Sequence, residues 1–187
     1  MAQVSFDEQL RFGKVGESKI AQWLLGRGYS VLPVYEKEMH TGKGPVLYSG
    51  PAHLIAPDML AYKGGNVKWI EAKTKSGFTW HRISQRWVTG IDLRHYRDYL
   101  RVAESSPWPI WILFLHLDPH GAKDTPMEYA GKSPTGLFGN DLSLLSKNEN
   151  HRHSHWGTSG MVYWARESLR LLAWDKLGVH IERQANR

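Results

Sequence analysis

At 187 residues, 41% of them hydrophobic and 22% charged, the chain has the size and composition of one well-buried globular domain, residues 1–187, and leaves little room for a second. It contains no cysteine, which excludes a disulfide framework and a thiolate metal site, and no apolar run approaches the length of a membrane span. A net charge of +6 with His neutral suits a polyanionic partner such as nucleic acid. Met1 to Asp7 lacks the basic and apolar segments of a secretory leader, so a cytoplasmic protein without membrane association is expected.

The first element is a helix. Ser5 with Glu8 makes a capping box, and Gly28 is the expected stop. Leu10, Ile20, Trp23 and Leu24 form its apolar stripe. Glu17 shares the face of Ile20, Ala21 and Leu24. Taken alone, it reads first as an acid at the stripe's edge, paired with Lys14 or Lys19. Gly13 and Gly16 sit inside this helix, where each costs about 1 kcal/mol relative to Ala, so a close approach should compensate.

Tyr29 to Tyr35 reads as a strand that Pro33 restricts to an edge or a bulge. Glu36 to Ile55 reads as a polar, Gly-rich loop flanking a cleft, with His40 and His53 as solvated residues. Met59–Lys63 and Val67–Lys73 are the arms of a β-hairpin around Gly64-Gly65-Asn66. In the second arm Trp69, Glu71 and Lys73 alternate onto one face. An acid and a cation on an otherwise apolar strand are costly unless they hold something.

Pairing through the turn brings Asp58, which follows Pro57, close to Glu71. Two such carboxylates repel, and each is driven towards protonation unless a cation lies between them. Oxygen ligands of this kind suit Mg²⁺. The bland alternative is a strand-entry Asp58 and a surface Glu71–Lys73 ion pair.

Thr74 to Thr89 interleaves Lys75, His81, Arg82, Gln85 and Arg86 with Phe78, Trp80 and Trp87. It reads either as a nucleic-acid contact surface or as a solvated loop pinned by aromatic anchors. Lys75 continues the face of Glu71 and Lys73 and is the best phosphate contact. Asp92 caps a second helix whose expected core stripe is Leu93, Tyr96, Leu100 and Ala103, with Arg94, Arg97 and Arg101 solvated. Ile110 to Leu117 is an apolar run suited to a central strand buried on both faces.

Asp118 to Ser159 reads as an insertion rich in Gly, Pro, Ser and Asn, with a solvated basic segment at His151, His153 and His155. Those three could share a face and bind Zn²⁺ if the segment were extended, but no supporting carboxylate is evident nearby. Met161 to Arg166 is a further strand, and Ser168 is expected to cap a short helix over Leu169–Trp174.

Pro57-Asp58 followed, twelve residues further on, by Glu71-Ala72-Lys73 across a hairpin resembles the signature of the PD-(D/E)XK nuclease superfamily. The resemblance spans roughly Ser5 to Asp118. It implies a restriction-endonuclease-like α/β fold, a central mixed β-sheet flanked by helices with an α-β-β-β-α-β core. Gly13-Lys14-Val15-Gly16-Glu17 matches the helix context in which many members carry an acid aimed at the metal. It leans towards the Holliday-junction-resolvase-like branch, although restriction and transposition endonucleases share the feature.

The implied chemistry is Mg²⁺-dependent hydrolysis of DNA by an endonuclease, with Mn²⁺ able to substitute and a 5′ phosphate left behind. Asp58, Glu71 and the Ala72 carbonyl would bind the ion, Glu17 would act through a water, and Lys73 would position or activate the nucleophile. Lys75, Arg82, Gln85 and Arg86 would contact the nucleic acid. A homodimer is plausible because both strands need cutting, and no small-molecule cofactor is expected. A non-catalytic nucleic-acid-binding module and an RNA-directed nuclease are the alternatives.

Overall fold

The computed structural model describes residues 6–34, 45–122, 125–154 and 159–174. Helix α1 (Phe6–Gly26) ends where glycine was expected to stop it. Gly28 stands just beyond the end at φ +77°, and its N–H donates to the Leu25 carbonyl (2.9 Å). The Tyr29 N–H donates to the Leu24 carbonyl (3.1 Å), completing a Schellman cap. The Ser5–Glu8 cap and the Leu10 side chain lie outside the described residues. Strand β1 (Ser30–Pro33) follows at the edge of the main sheet, where Pro33 leaves no ladder bond unmade.

The loop expected over Glu36 to Ile55 is in part a second hairpin, β2 (Val46–Ser49) with β3 (Ala52–Ile55), turning at Gly50 with φ +57°. Its short strands escape a pattern search, but Leu54 and Ile55 are buried, and Ile55 N–H donates to Asp98 Oδ2 (3.1 Å). Of the two loop histidines, His40 lies outside the described residues, while His53 is exposed against the Tyr48 ring. The expected central hairpin forms as β4 (Met59–Lys63) and β5 (Asn66–Lys75). Its two-residue turn places Gly64 and Gly65 at φ +56° and +81°, values that favour glycine.

The stretch from Thr74 to Thr89 is not a loop. After β5 it forms a third hairpin, β6 (Thr79–His81) and β7 (Arg86–Asp92). Asp92 caps α2 (Leu93–Ser105), its Oδ1 accepting from Arg94 N–H (2.9 Å). The buried stripe of α2 is Leu93, Tyr96, Tyr99 and Val102, whereas Ala103 is exposed and Leu100 only half-buried. The helix is rotated from the expected stripe because Tyr99 and Val102, rather than Leu100 and Ala103, fill the space beneath it. Arg94, Arg97 and Arg101 are exposed.

Strand β8 (Ile110–His116) is the buried central strand. The expected insertion after it supplies another strand of the same sheet, β9 (Gly136–Asp141), and then helix α3 (Leu142–Lys147) and β10 (Glu149–His153). Glycine made β9 look like loop. A Cβ on Gly139 would lie 2.4 Å from Leu113 Cδ2, so the residue is there for close packing against β8. Strand β11 (Met161–Ala165) follows, and the helix expected at Leu169–Trp174 is instead β12 (Arg170–Ala173). Ser168 closes a short 3₁₀ turn, and the apolar residues beyond it add a strand to the open edge of β9.

The central sheet runs β1-β4-β5-β8-β9-β12, with β5 and β8 parallel and every other pair antiparallel. A second sheet runs β10-β11-β7-β6. The α-β-β-β-α-β core is therefore present as α1, β1, β4, β5, α2 and β8, in a mixed α/β fold. Ile70, Ala72, Leu113 and Leu115 pack with Ile20 and Leu24 of α1 on one face of the central sheet. On the other face, Trp69, Ile112 and Phe114 pack with α2 and with Ile91, Val162 and Trp164 of the second sheet. Among the described residues no helix is long and apolar enough to cross a membrane.

The Gly16 Cα packs against β5, and a Cβ added there would fall 1.4 Å from Thr74 Oγ1. Helix propensity alone predicts that Gly16→Ala stabilises by about 1 kcal/mol. Overpacking costs about 1–3 kcal/mol and opposes it. The clash should win. Gly16→Ala is expected to lower the urea midpoint, and adding Thr74→Ala should restore part of the loss; a raised midpoint in the single variant would contradict the packing.

Candidate active site

Register places the chemistry. The β4–β5 ladder pairs Met59 with Ile70, so Asp58, one step outside β4, stands across from Glu71. Its Oδ2 accepts from Ala72 N–H (2.8 Å), which fixes the carboxylate at the strand entry. Glu71 is wholly buried, and its carboxylate is met by the side chains of Lys73, Asp58 and Tyr99. Its countercharge is Lys73, two residues along the same face, in an ion pair with Glu71 Oε1. The Lys73 side chain keeps 28% of its surface exposed, so the ammonium sits at the boundary between the buried acid and solvent. The surface ion pair allowed as the bland alternative is thus ruled out by the burial of Glu71.

The electrostatics follow from this crowding. Burial, and then the Glu71 charge, push the Asp58 carboxyl up to about 7. Glu17, on α1, is pushed up by burial and by Asp58, while Lys73 and Lys14 partly offset the shift. Burial opposes the Lys73 charge, but Glu71 and Asp58 outweigh it and hold the ammonium above its ordinary value. The acids on α1, β4 and β5 therefore act on one another, and Lys73 acts on all of them. Gly16 lets α1 lie against β5, and Glu17 is the next residue.

Glu17, Asp58, Glu71 and Lys73 come together as expected, with Ala72 between them. Lys75 follows on the same face of β5, partly buried, with Lys73 as its charged neighbour. Arg82, Gln85 and Arg86 do not join the cluster: they are exposed at the β6–β7 turn, where Gln85 adopts φ +50°. His155 lies outside the described residues. His151 is held on β10 between the rings of His81 (3.9 Å) and Tyr163 (4.6 Å), so the solvated loop expected there is a strand. Among the described residues no three His, Asp or Glu side chains gather closely enough to hold a metal by themselves.

The fold resembles that of a Holliday junction resolvase from the archaeal hyperthermophile Archaeoglobus fulgidus. The TM-score is 0.46 at 10% identity, over 83% of this chain and 90% of that one. No family model matches the sequence, and neither does any curated protein. A likeness so distant lends the site no weight; its case is the geometry.

Two neighbours of the site come from α2. Tyr99 is 1% exposed, and burial together with the Glu71 and Asp58 charges raises its phenol well above the ordinary value. His95 is lowered by burial and then by Lys73. Neither was anticipated from sequence. The available signal was a hydroxyl-bearing ring three residues after Tyr96 on a capped helix.

A titration checks the crowding. Because the folded pKa of Asp58 lies above its unfolded value near 3.8, the folded state binds more protons between about pH 4 and 7, and this group's contribution to stability falls as pH rises through that window. His116, pushed down to about 3 by burial, and His151, pushed down to about 4, have the opposite slope, so the test is a difference. In EDTA, wild type minus Asp58→Asn should show a melting temperature that declines from pH 4 to 7. A flat difference would mean that neither burial nor Glu71 raises the Asp58 carboxyl.

Proposed function

We propose that the protein is a divalent-metal-dependent nuclease that hydrolyses DNA phosphodiester bonds and leaves a 5′ phosphate. The observation that carries this reading is Glu71, a fully buried carboxylate paired with Lys73 and facing a second carboxylate, Asp58, that resists ionisation. Such an arrangement is costly in a metal-free fold and is relieved by a cation between the two acids. The donor set is all oxygen and fits Mg²⁺, which keeps several waters and takes one or two carboxylates, so a complete protein cage is not required. Asp58 and Glu71 would be direct ligands, the Ala72 carbonyl a third, and Glu17 would hold a coordinated water.

A bound ion would polarise the phosphate and lower the pKa of a water. The protein's own residues do the remainder. Asp58, anchored by the Ala72 N–H, keeps the acid pair in register. Lys73 is a poor base in this setting, because the flanking carboxylates hold it charged; its role is to orient the attacking water and to offset charge gathering on the phosphate. Attack of the water in line with the P–O3′ bond would form the new P–O bond and break the old one; the water's proton is lost to solvent, and the 3′ oxygen leaves with a proton from solvent. Exposed Arg82, Gln85 and Arg86 would meet flanking phosphates, and cutting both strands of a duplex would engage two copies.

Incubation with supercoiled plasmid and Mg²⁺ or Mn²⁺ should give nicked and linear products, and EDTA should abolish them. Glu71→Gln and Lys73→Ala should each reduce the single-turnover rate by about 10²–10³-fold with DNA affinity little changed. Tight binding to DNA without cleavage would favour the non-catalytic module, and cleavage of RNA alone would reassign the substrate. Full activity in Lys73→Ala would sink the site.

A further inference from the structure

Beyond Lys73 the same face of β5 runs into a cleft of about 220 Å³ between the two sheets, bordered by Lys75, Gly77, Thr79, Gly90, Met161 and Tyr163. The second sheet has one face in the core, through Ile91, Val162 and Trp164. Its ladders put Thr79 level with Val88, and Tyr163 level with Gly90 and His151, on the opposite face, where Val88 is itself buried. That face curls enough for His81, on the strand at one edge, to stack on His151, on the strand at the other (3.9 Å, 10° between ring planes). The ladder of rings continues to Tyr163 at the cleft (4.6 Å, 6°). Gly90 makes room for the phenol: a Cβ there would lie 2.8 Å from the Tyr163 ring and 2.2 Å from the Val162 carbonyl oxygen.

The charge in this cleft is unanswered. Lys75 has no carboxylate partner among the described residues, and its charged neighbour is another cation, Lys73. A lysine sequestered with a second lysine calls for an anion. The cleft is smaller than the usual 300–1,000 Å³ of a ligand pocket, which limits the occupant to about one flat group. Lys75 lies two residues beyond Lys73, about 7 Å along the strand, so an anion on it would be a near neighbour of one held at the acids.

We propose that this cleft receives a single unpaired nucleotide of the DNA substrate, with its phosphate on Lys75 and its base against the Tyr163 ring and the Thr79 hydroxyl. This rests on the nuclease reading and narrows it to DNA that is bulged, branched or locally unpaired beside the cut. A base inside an intact duplex does not reach a cleft between two sheets, whereas an unstacked base does.

The test is equilibrium binding in EDTA, which needs neither metal nor cleavage. A fluorescent duplex is compared with the same duplex carrying a one-nucleotide bulge. Wild type should bind the bulged DNA about tenfold tighter, the scale of stacking one base on an aromatic ring. Tyr163→Leu should erase that preference and leave affinity for the paired duplex unchanged. Thr79→Val, nearly the same shape, should reduce the preference with an unaltered melting temperature, which guards against a folding defect. Lys75→Gln should weaken binding to the bulged DNA more than to the paired duplex. Equal affinity of wild type for the two DNAs, or a preference that survives Tyr163→Leu, overturns the proposal. Discrimination of the bulge by a protein that cleaves nothing in Mg²⁺ would keep this cleft and refute the nuclease.

Discussion

A carboxylate sealed inside a protein is among the most expensive features a fold can carry, and Glu71 is one. The neighbouring structure is arranged around tolerating it. Lys73 supplies the opposite charge from the same strand face, Asp58 is tied to the Ala72 N–H across from it, and Tyr99 covers it from α2. Removing one partner of such a cluster leaves an uncompensated charge, so these residues stand or fall as a unit.

The two layers of the molecule have different jobs. The central sheet is clamped by α1 on one side and by α2 with the second sheet on the other, so β5 is rigid along the part that carries Glu71 and Lys73. Rigid strands hold reacting groups more accurately than loops do. On the second sheet, the face opposite the core bears His81, His151, Tyr163 and Arg86. On the nuclease reading proposed here, the scaffold that fixes the acids would hold the reacting phosphate, and the sheet beside it would grip what surrounds it.

Legibility from sequence tracked the range of the forces involved. The β4–β5 hairpin was readable because its turn needs residues at positive φ and Gly64-Gly65 supplies them. The α2 cap was readable because Asp92 bonds a residue two positions away. Strands β9 and β12 were not, because β9 carries glycines that look like loop, of which Gly139 is there to admit Leu113, while β12 is a strand only by virtue of the edge it joins. The stripe of α2 was misjudged for the same reason: either apolar face was possible, and the space beneath the helix chose Tyr99 and Val102.

The chain alone determined which residues could do chemistry: acids at positions 17, 58 and 71, and a lysine at 73, spaced so that a hairpin pairs two of the acids. It also determined that α1 must come close to something, since glycine inside a helix is otherwise a loss. Only the folded arrangement decided that Glu71 is sealed from water, that Asp58 resists ionisation beside it, and that Lys75 opens onto a cleft between two sheets. Burial and electrostatic coupling depend on what packs around a group, and those neighbours arrive from distant parts of the chain: α1 before the hairpin, α2 and β11 after it.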